Sequence, residues 1–100
     1  MKFTTKKPKE SITTLARKLG YIPKEIVGDE FNLVRQIRGN KYPRFHLYLK
    51  EDRERNLLFL NLHLDQKRPS YVGTPAHGGE YTGKVVEDET ERIKQIIENM

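Results

Sequence analysis

The chain has no cysteine in its 100 residues. Disulfides, thiolate zinc sites and cysteine nucleophiles are therefore excluded, and a reducing compartment is compatible with the composition. No apolar run approaches the roughly 20 residues of a membrane span. The basic opening, residues 1–9, has no apolar stretch behind it and does not read as a secretory leader. There is no internal repeat and no low-complexity segment. No serine sits in an obvious nucleophile setting; Ser70 and Tyr71 are merely present. These absences predict a single cytoplasmic domain that does not associate with membranes, with residues 1–9 as a flexible tail and 10–100 as the folded unit.

Acidic residues are missing from two stretches. Residues 1–9 hold four lysines and no acid, and residues 31–50 hold Arg35, Arg38, Lys41, Arg44 and Lys50 with no acid. Five acids (Glu87, Asp88, Glu89, Glu91, Glu98) are gathered instead in the last 16 residues, 85–100. The net charge of +5 and a pI near 9.5 permit an anionic partner without demanding one.

Apolar periodicity is clearest in four places. Ser11 is placed to cap a helix, Ile12, Leu15, Ala16 and Leu19 form its apolar stripe, and Gly20 suits its left-handed stop. Residues 24–27 suggest a short strand. Residues 31–37 read as another, with Phe31, Leu33 and Ile37 on one face and Arg35 breaking it. The best-defined unit is a hairpin from 44–50 and 57–65. Phe45, Leu47 and Leu49 alternate with His46, Tyr48 and Lys50; Leu58, Leu60, Leu62 and Leu64 alternate with Phe59, Asn61, His63 and Asp65. Pairing Glu51 with Asn56 puts Leu49 opposite Leu58, Tyr48 opposite Phe59, His46 opposite Asn61 and Arg44 opposite His63. A helix over about 88–99 closes the chain, with Val86, Thr90, Ile93, Ile97 and Met100 on one face. The predicted fold is α+β: a three- or four-stranded antiparallel meander packed on one face by an N-terminal and a C-terminal helix. A long Gly/Pro-rich loop, residues 66–86, precedes the last helix.

That loop and the second face of the sheet hold the chemistry. The alternation sets Arg44, His46, Tyr48, Asn61, His63 and Asp65 on one surface, with His63 and Asp65 about 6.5–7 Å apart at the backbone. The loop adds Lys67, Arg68, Tyr71, His77 and Glu80 if it folds back. Imidazoles with a carboxylate suit a divalent metal such as zinc or manganese, with His46, His63, Asp65 and His77 as the ligand set. The same residues with Glu80 would serve a metal-dependent hydrolase or nuclease. Metal-free acid–base work by His63 and His77, oriented by Asp65, is a further reading. Arg38, Lys41, Arg44, Lys50, Lys67 and Arg68 beside Tyr48, Phe59, Tyr71 and Tyr81 are the ingredients of single-strand recognition, although no RNA-binding sheet motif is present. The simplest alternative is that the polar groups anchor the loop by hydrogen bonds to its backbone. The segment 78–84 fits a glycine-four residues-glycine-lysine frame. Val85 follows where a phosphate loop has a hydroxyl, and no apolar strand leads into it, so it is set aside.

At 43–50, 60–71 and 76–81 the chain resembles a group of short prokaryotic proteins. The resemblance covers most of the chain. It implies a small prokaryotic protein and brings no activity, ligand or functional residue. The reading favoured by the residues is a small binding domain for an anionic ligand, with nucleic acid as one such ligand, on the open sheet face and the 66–86 loop. A metal-dependent hydrolase or nuclease comes second, and a protein–protein adaptor without a small ligand third. The exposed strand edge offers a route to a homo-oligomer.

Overall fold

Ser11 opens the first helix as its sequence position suggests. In a computed structural model of the chain, which describes residues 1–39, 41–66, 79–80 (backbone) and 83–100, its hydroxyl accepts from the Thr14 amide at 3.2 Å. Helix α1 runs Ile12–Leu19 and stops at Gly20, whose φ of 85° is the left-handed conformation a side chain resists. Replacing Ser11 with Ala strands the amide of the first turn. We expect a loss of about 1 kcal/mol, measured as a lower urea midpoint with unchanged slope.

Strands β1 (Lys2–Lys6), β2 (Ile22–Val27), β3 (Glu30–Gln36), β4 (Arg44–Asp52) and β5 (Leu57–Asp65) form one antiparallel sheet in the order β1-β5-β4-β3-β2. A two-residue strand, β6 (Gly79–Glu80), also pairs with β5, opposite Leu64 and Asp65. Helix α2 spans Lys84–Glu98, starting four residues before the predicted Asp88. The sheet has more strands than the three or four expected because the N-terminal segment is one of them. Lys2–Lys6 is an edge strand on β5 rather than a flexible tail. Phe3 is packed against the core, the partner of Leu60 in register. Its lysines hid a period-2 pattern of exposed and half-buried positions.

The alternating leucines carry the core. Leu33, Leu47, Leu49, Leu58 and Leu62 are fully buried, together with Leu15 and Leu19 of α1 and Val86 and Ile93 of α2. Each fully buried aliphatic side chain contributes roughly 1.5–3 kcal/mol by removal from water. Both helices therefore cover the leucine face, and the other face is polar. Arg35, which interrupted the apolar pattern of β3, lies on the leucine side in register with Phe45. Its guanidinium reaches the buried Glu89 of α2 at 3.5 Å.

The hairpin β4–β5 has the predicted faces but a register displaced by two residues. Asp52, not Glu51, is the last paired residue, and it pairs with Leu57. The turn explains the shift. Asp52 Oδ1 accepts from the Arg55 amide at 3.1 Å, and Asn56 takes a φ of 57°, which asparagine tolerates better than most residues. A displacement of two keeps every leucine on the core face, so hydrophobic pattern alone does not distinguish the registers.

Candidate metal centre on the polar sheet face

The displaced register decides which polar groups meet. His46 lies directly opposite His63, Arg44 opposite Asp65, and Tyr48 opposite Asn61. Directly opposed positions bring side chains closer than the diagonal placement expected from the sequence. His63 Nε2 is 2.9 Å from Asp65 Oδ1, and His46 Nδ1 is 3.6 Å from Asp65 Oδ2. Arg44 Nε donates to the same Oδ2 at 3.2 Å. The imidazoles are 4.8 Å apart at their centroids, and Tyr48 stacks on His46 at 4.4 Å. Arg44 in turn lies over the Tyr42 ring at 4.7 Å.

One ligand atom from each of His46, His63 and Asp65 lies within 4.8 Å of the other two. Two imidazoles and a carboxylate at that spacing can converge on one divalent cation with small rotamer changes, leaving coordination positions open. All three side chains are mostly buried, His63 to 7% exposure. His46 Nε2 is buried with no hydrogen-bond partner among the described residues. A buried ring nitrogen without a partner costs free energy, so its place in a polar cluster calls for a reason.

Burial also sets the protonation of the rings. It pushes the His46 imidazole down to about 4, with repulsion from His63 adding to it and Asp65 opposing. Burial pushes His63 down as well, again opposed by Asp65. Both rings are therefore neutral at neutral pH, the form that donates a lone pair to a metal. A sign follows for stability. The unfolded ring titrates near 6.5 and the folded ring lower, so below about 6.5 the unfolded chain takes up protons that the folded one refuses. Stability should be flat in this respect above pH 7. It should then fall by on the order of 1–3 kcal/mol between pH 6.5 and 4. Urea midpoints of wild type and His46→Gln, measured in chelator, check this: the wild-type drop should be larger.

Six expected site residues, Arg44, His46, Tyr48, Asn61, His63 and Asp65, share the polar face. Lys67, Arg68, Tyr71 and His77, with most of the 66–86 loop, lie outside the described residues. Glu80 belongs to β6, where its backbone is the partner of Leu64. Two neighbours were missed. Tyr42, which supports Arg44, sits in a Gly/Pro turn region that carries no periodicity. Lys2, partner of Asn61, comes to the polar face only because β1 exists; the phenylalanine and threonines between Lys2 and Lys6 were the available signal.

The described part of the chain is thus an α+β protein with a polar cluster on the sheet face opposite its two helices, and no described helix is long and apolar enough to cross a membrane. Compared with family models, curated proteins and solved structures, the chain matches none.

Proposed function

We propose that this protein binds a divalent transition metal through His46, His63 and Asp65, and uses the open coordination positions to hold an anionic ligand. The observation that carries this reading is the convergence of the three ligand atoms within 4.8 Å on a largely buried patch. Zinc, iron(II) and manganese all accept two imidazoles and a carboxylate. Arg44 gives the patch its preference for anions. Its Nε donates to Asp65, and a cation arriving at Asp65 would free the guanidinium to face a carboxylate or phosphate. A metal-bound water at an open position would extend the binding function to hydrolysis.

The deciding experiment is elemental analysis of protein purified without a histidine tag. Near-stoichiometric zinc or manganese, or a raised melting temperature on adding either to chelator-treated protein, supports the reading. Neither metal retained and no thermal shift would remove it.

A second reading has its own support. A groove of about 710 Å³ at the same face is lined in part by Lys2, Lys50, Tyr48, Phe59 and Asn61, with Glu30 also on its wall. Phe59, 39% exposed, turns part of its ring toward that groove. A ring flanked by lysines suits stacking of an unpaired base. Single-stranded oligonucleotides should then bind with an affinity that falls about tenfold or more between 50 and 200 mM salt. Salt-independent binding, or none, removes this reading.

A further inference from the structure

The two edges of the sheet are not alike. At the β5 side of β1, Leu62 donates to the Met1 carbonyl at 2.8 Å and Lys7 donates to the Asn56 carbonyl at 2.9 Å. In an antiparallel ladder the residues that bond one neighbour alternate with those that face away. Met1, Phe3, Thr5 and Lys7 therefore turn their backbone groups toward β5, and Lys2, Thr4 and Lys6 turn theirs outward. Among the described residues no strand pairs with that outer edge.

The opposite edge is closed by comparison. Ile37 donates to the Pro43 carbonyl at 3.4 Å, so the same alternation turns Val34, Asn32 and Glu30 toward β2, where their partners are Ile22, Glu25 and Val27. That leaves Pro23 facing outward, with no N–H to offer, next to a register shift between Pro23 and Glu25. Proline and a bulge are the usual means of stopping a sheet from growing. Strand β1 has neither; its exposed Lys2 and Lys6 are a different edge device, one that repels strands of like charge.

Charge selects what the β1 edge can accept. Lys2, Thr4 and Lys6 are exposed and share the polar face. A second copy of β1 added antiparallel would set Lys2 against Lys6, a like-charge pair that opposes self-association. An incoming strand with acids four residues apart would set them opposite both lysines. Below the edge, on the core side, runs a groove of about 1190 Å³ lined in part by Thr5, Lys7, Lys94, Ile97 and Met100. Residues alternating with the acids would enter it, and its apolar groups, Ile97 and Met100, suit aliphatic side chains there, while Glu10 and Glu98 on the same wall disfavour acids on that side.

We propose that the outer edge of β1 is a docking site for an extended acidic peptide of a partner protein, which adds as a strand with acids against Lys2 and Lys6 and aliphatic residues in the groove beside α2. Main-chain hydrogen bonds at Lys2, Thr4 and Lys6 would supply affinity, and the charge and groove specificity. This site is separate from the histidine cluster and does not depend on metal.

The test uses a fluorescein-labelled peptide alternating glutamate and valine, with a lysine–valine peptide and a single-stranded oligonucleotide as controls. Fluorescence anisotropy should show the acidic peptide binding wild type and the lysine–valine peptide not binding. Thr4→Pro removes an outward N–H and no bond to β5. It should weaken binding about tenfold or more, the effect of roughly 1.4 kcal/mol, with circular dichroism unchanged. If Thr4→Pro does not fold, the acidic peptide N-methylated on one edge should lose binding to wild type by a similar factor. Four results would overturn the proposal. These are no binding of the acidic peptide at millimolar concentration, equal binding by Thr4→Pro and wild type, equal binding of the lysine–valine peptide, and an oligonucleotide that displaces the acidic peptide and is itself weakened by Thr4→Pro. A wild-type dimer in sedimentation that Thr4→Pro dissociates would make a second copy the occupant instead.

Discussion

Asp65→Asn should lower zinc affinity by at least about 100-fold, and Arg44→Met should raise it. The first half follows from ligand loss. Groups that merely orient metal ligands are worth 10–100-fold in affinity, and Asp65 is placed both as a ligand and as the partner of His46 and His63. Asparagine keeps the shape and removes the charge, so the fold should survive. The second half separates a metal site from a structural polar cluster. Arg44 donates to Asp65 Oδ2 at 3.2 Å, and a metal must compete with that charge-assisted bond. Such bonds are worth about 1.5–3 kcal/mol, so removing the guanidinium should tighten zinc binding by roughly tenfold or more. Methionine retains much of the bulk over Tyr42. Isothermal titration of chelator-treated wild type and both variants gives the comparison. Equal affinities in all three would show that zinc binds elsewhere.

Glu89→Ala should destabilise the protein by about 3 kcal/mol, a larger effect on stability than any change at the polar face. Glu89 is 5% exposed, on the core side where α1, α2 and β3 meet. Its carboxylate accepts from the Tyr21 hydroxyl at 2.7 Å and from Arg92 at 2.7 and 2.9 Å, with Arg35 at 3.5 Å. Arg92 also donates to the Leu19 carbonyl at 2.6 Å, near the end of α1. Burial and the adjacent carboxylate push the Tyr21 phenol well above its ordinary value, while Glu89 raises the Arg92 guanidinium. Removing one member of a buried ionic network typically costs 3–5 kcal/mol, because the others are left unpaired. The low end applies here, since Arg35 and Arg92 each keep about a third of their side-chain surface in water. For a domain of this size about 3 kcal/mol corresponds to a melting temperature lower by roughly 12–24 °C. A loss below about 1 kcal/mol would mean that water replaces the carboxylate readily. Tyr21→Phe, which removes one neutral donor, should cost less than Glu89→Ala.

The parts of the fold legible in the sequence were those set by period and caps. Ser11 and Gly20 bound α1 as their chemistry requires, and the leucines of β4 and β5 defined one face of the sheet. Polar-face membership of His46, His63 and Asp65 followed from the same alternation. Their direct opposition did not, because two registers bury the same leucines and only the turn at Asp52 and Asn56 chooses between them. Strand β1 was masked by its lysines, whose charge reads as a solvated tail until Phe3 is seen against the core. The Glu89 network was invisible for a related reason. Arg35 looked like a fault in an apolar face and Glu89 like one acid among several at a helix start, and only the third dimension pairs them. His77, Lys67 and Arg68, expected on the same surface if the loop folds back, lie outside the described residues.

The most direct measurement is a zinc titration of chelator-treated, untagged protein followed by NMR of the imidazole rings. If His46, His63 and Asp65 form a metal centre, the ring signals of His46 and His63 shift together and saturate at one equivalent, and Asp65→Asn needs at least about 100-fold more free zinc for the same shift. Rings that stay unmoved at excess zinc, or shifts confined to His77, would contradict a metal centre at this cluster.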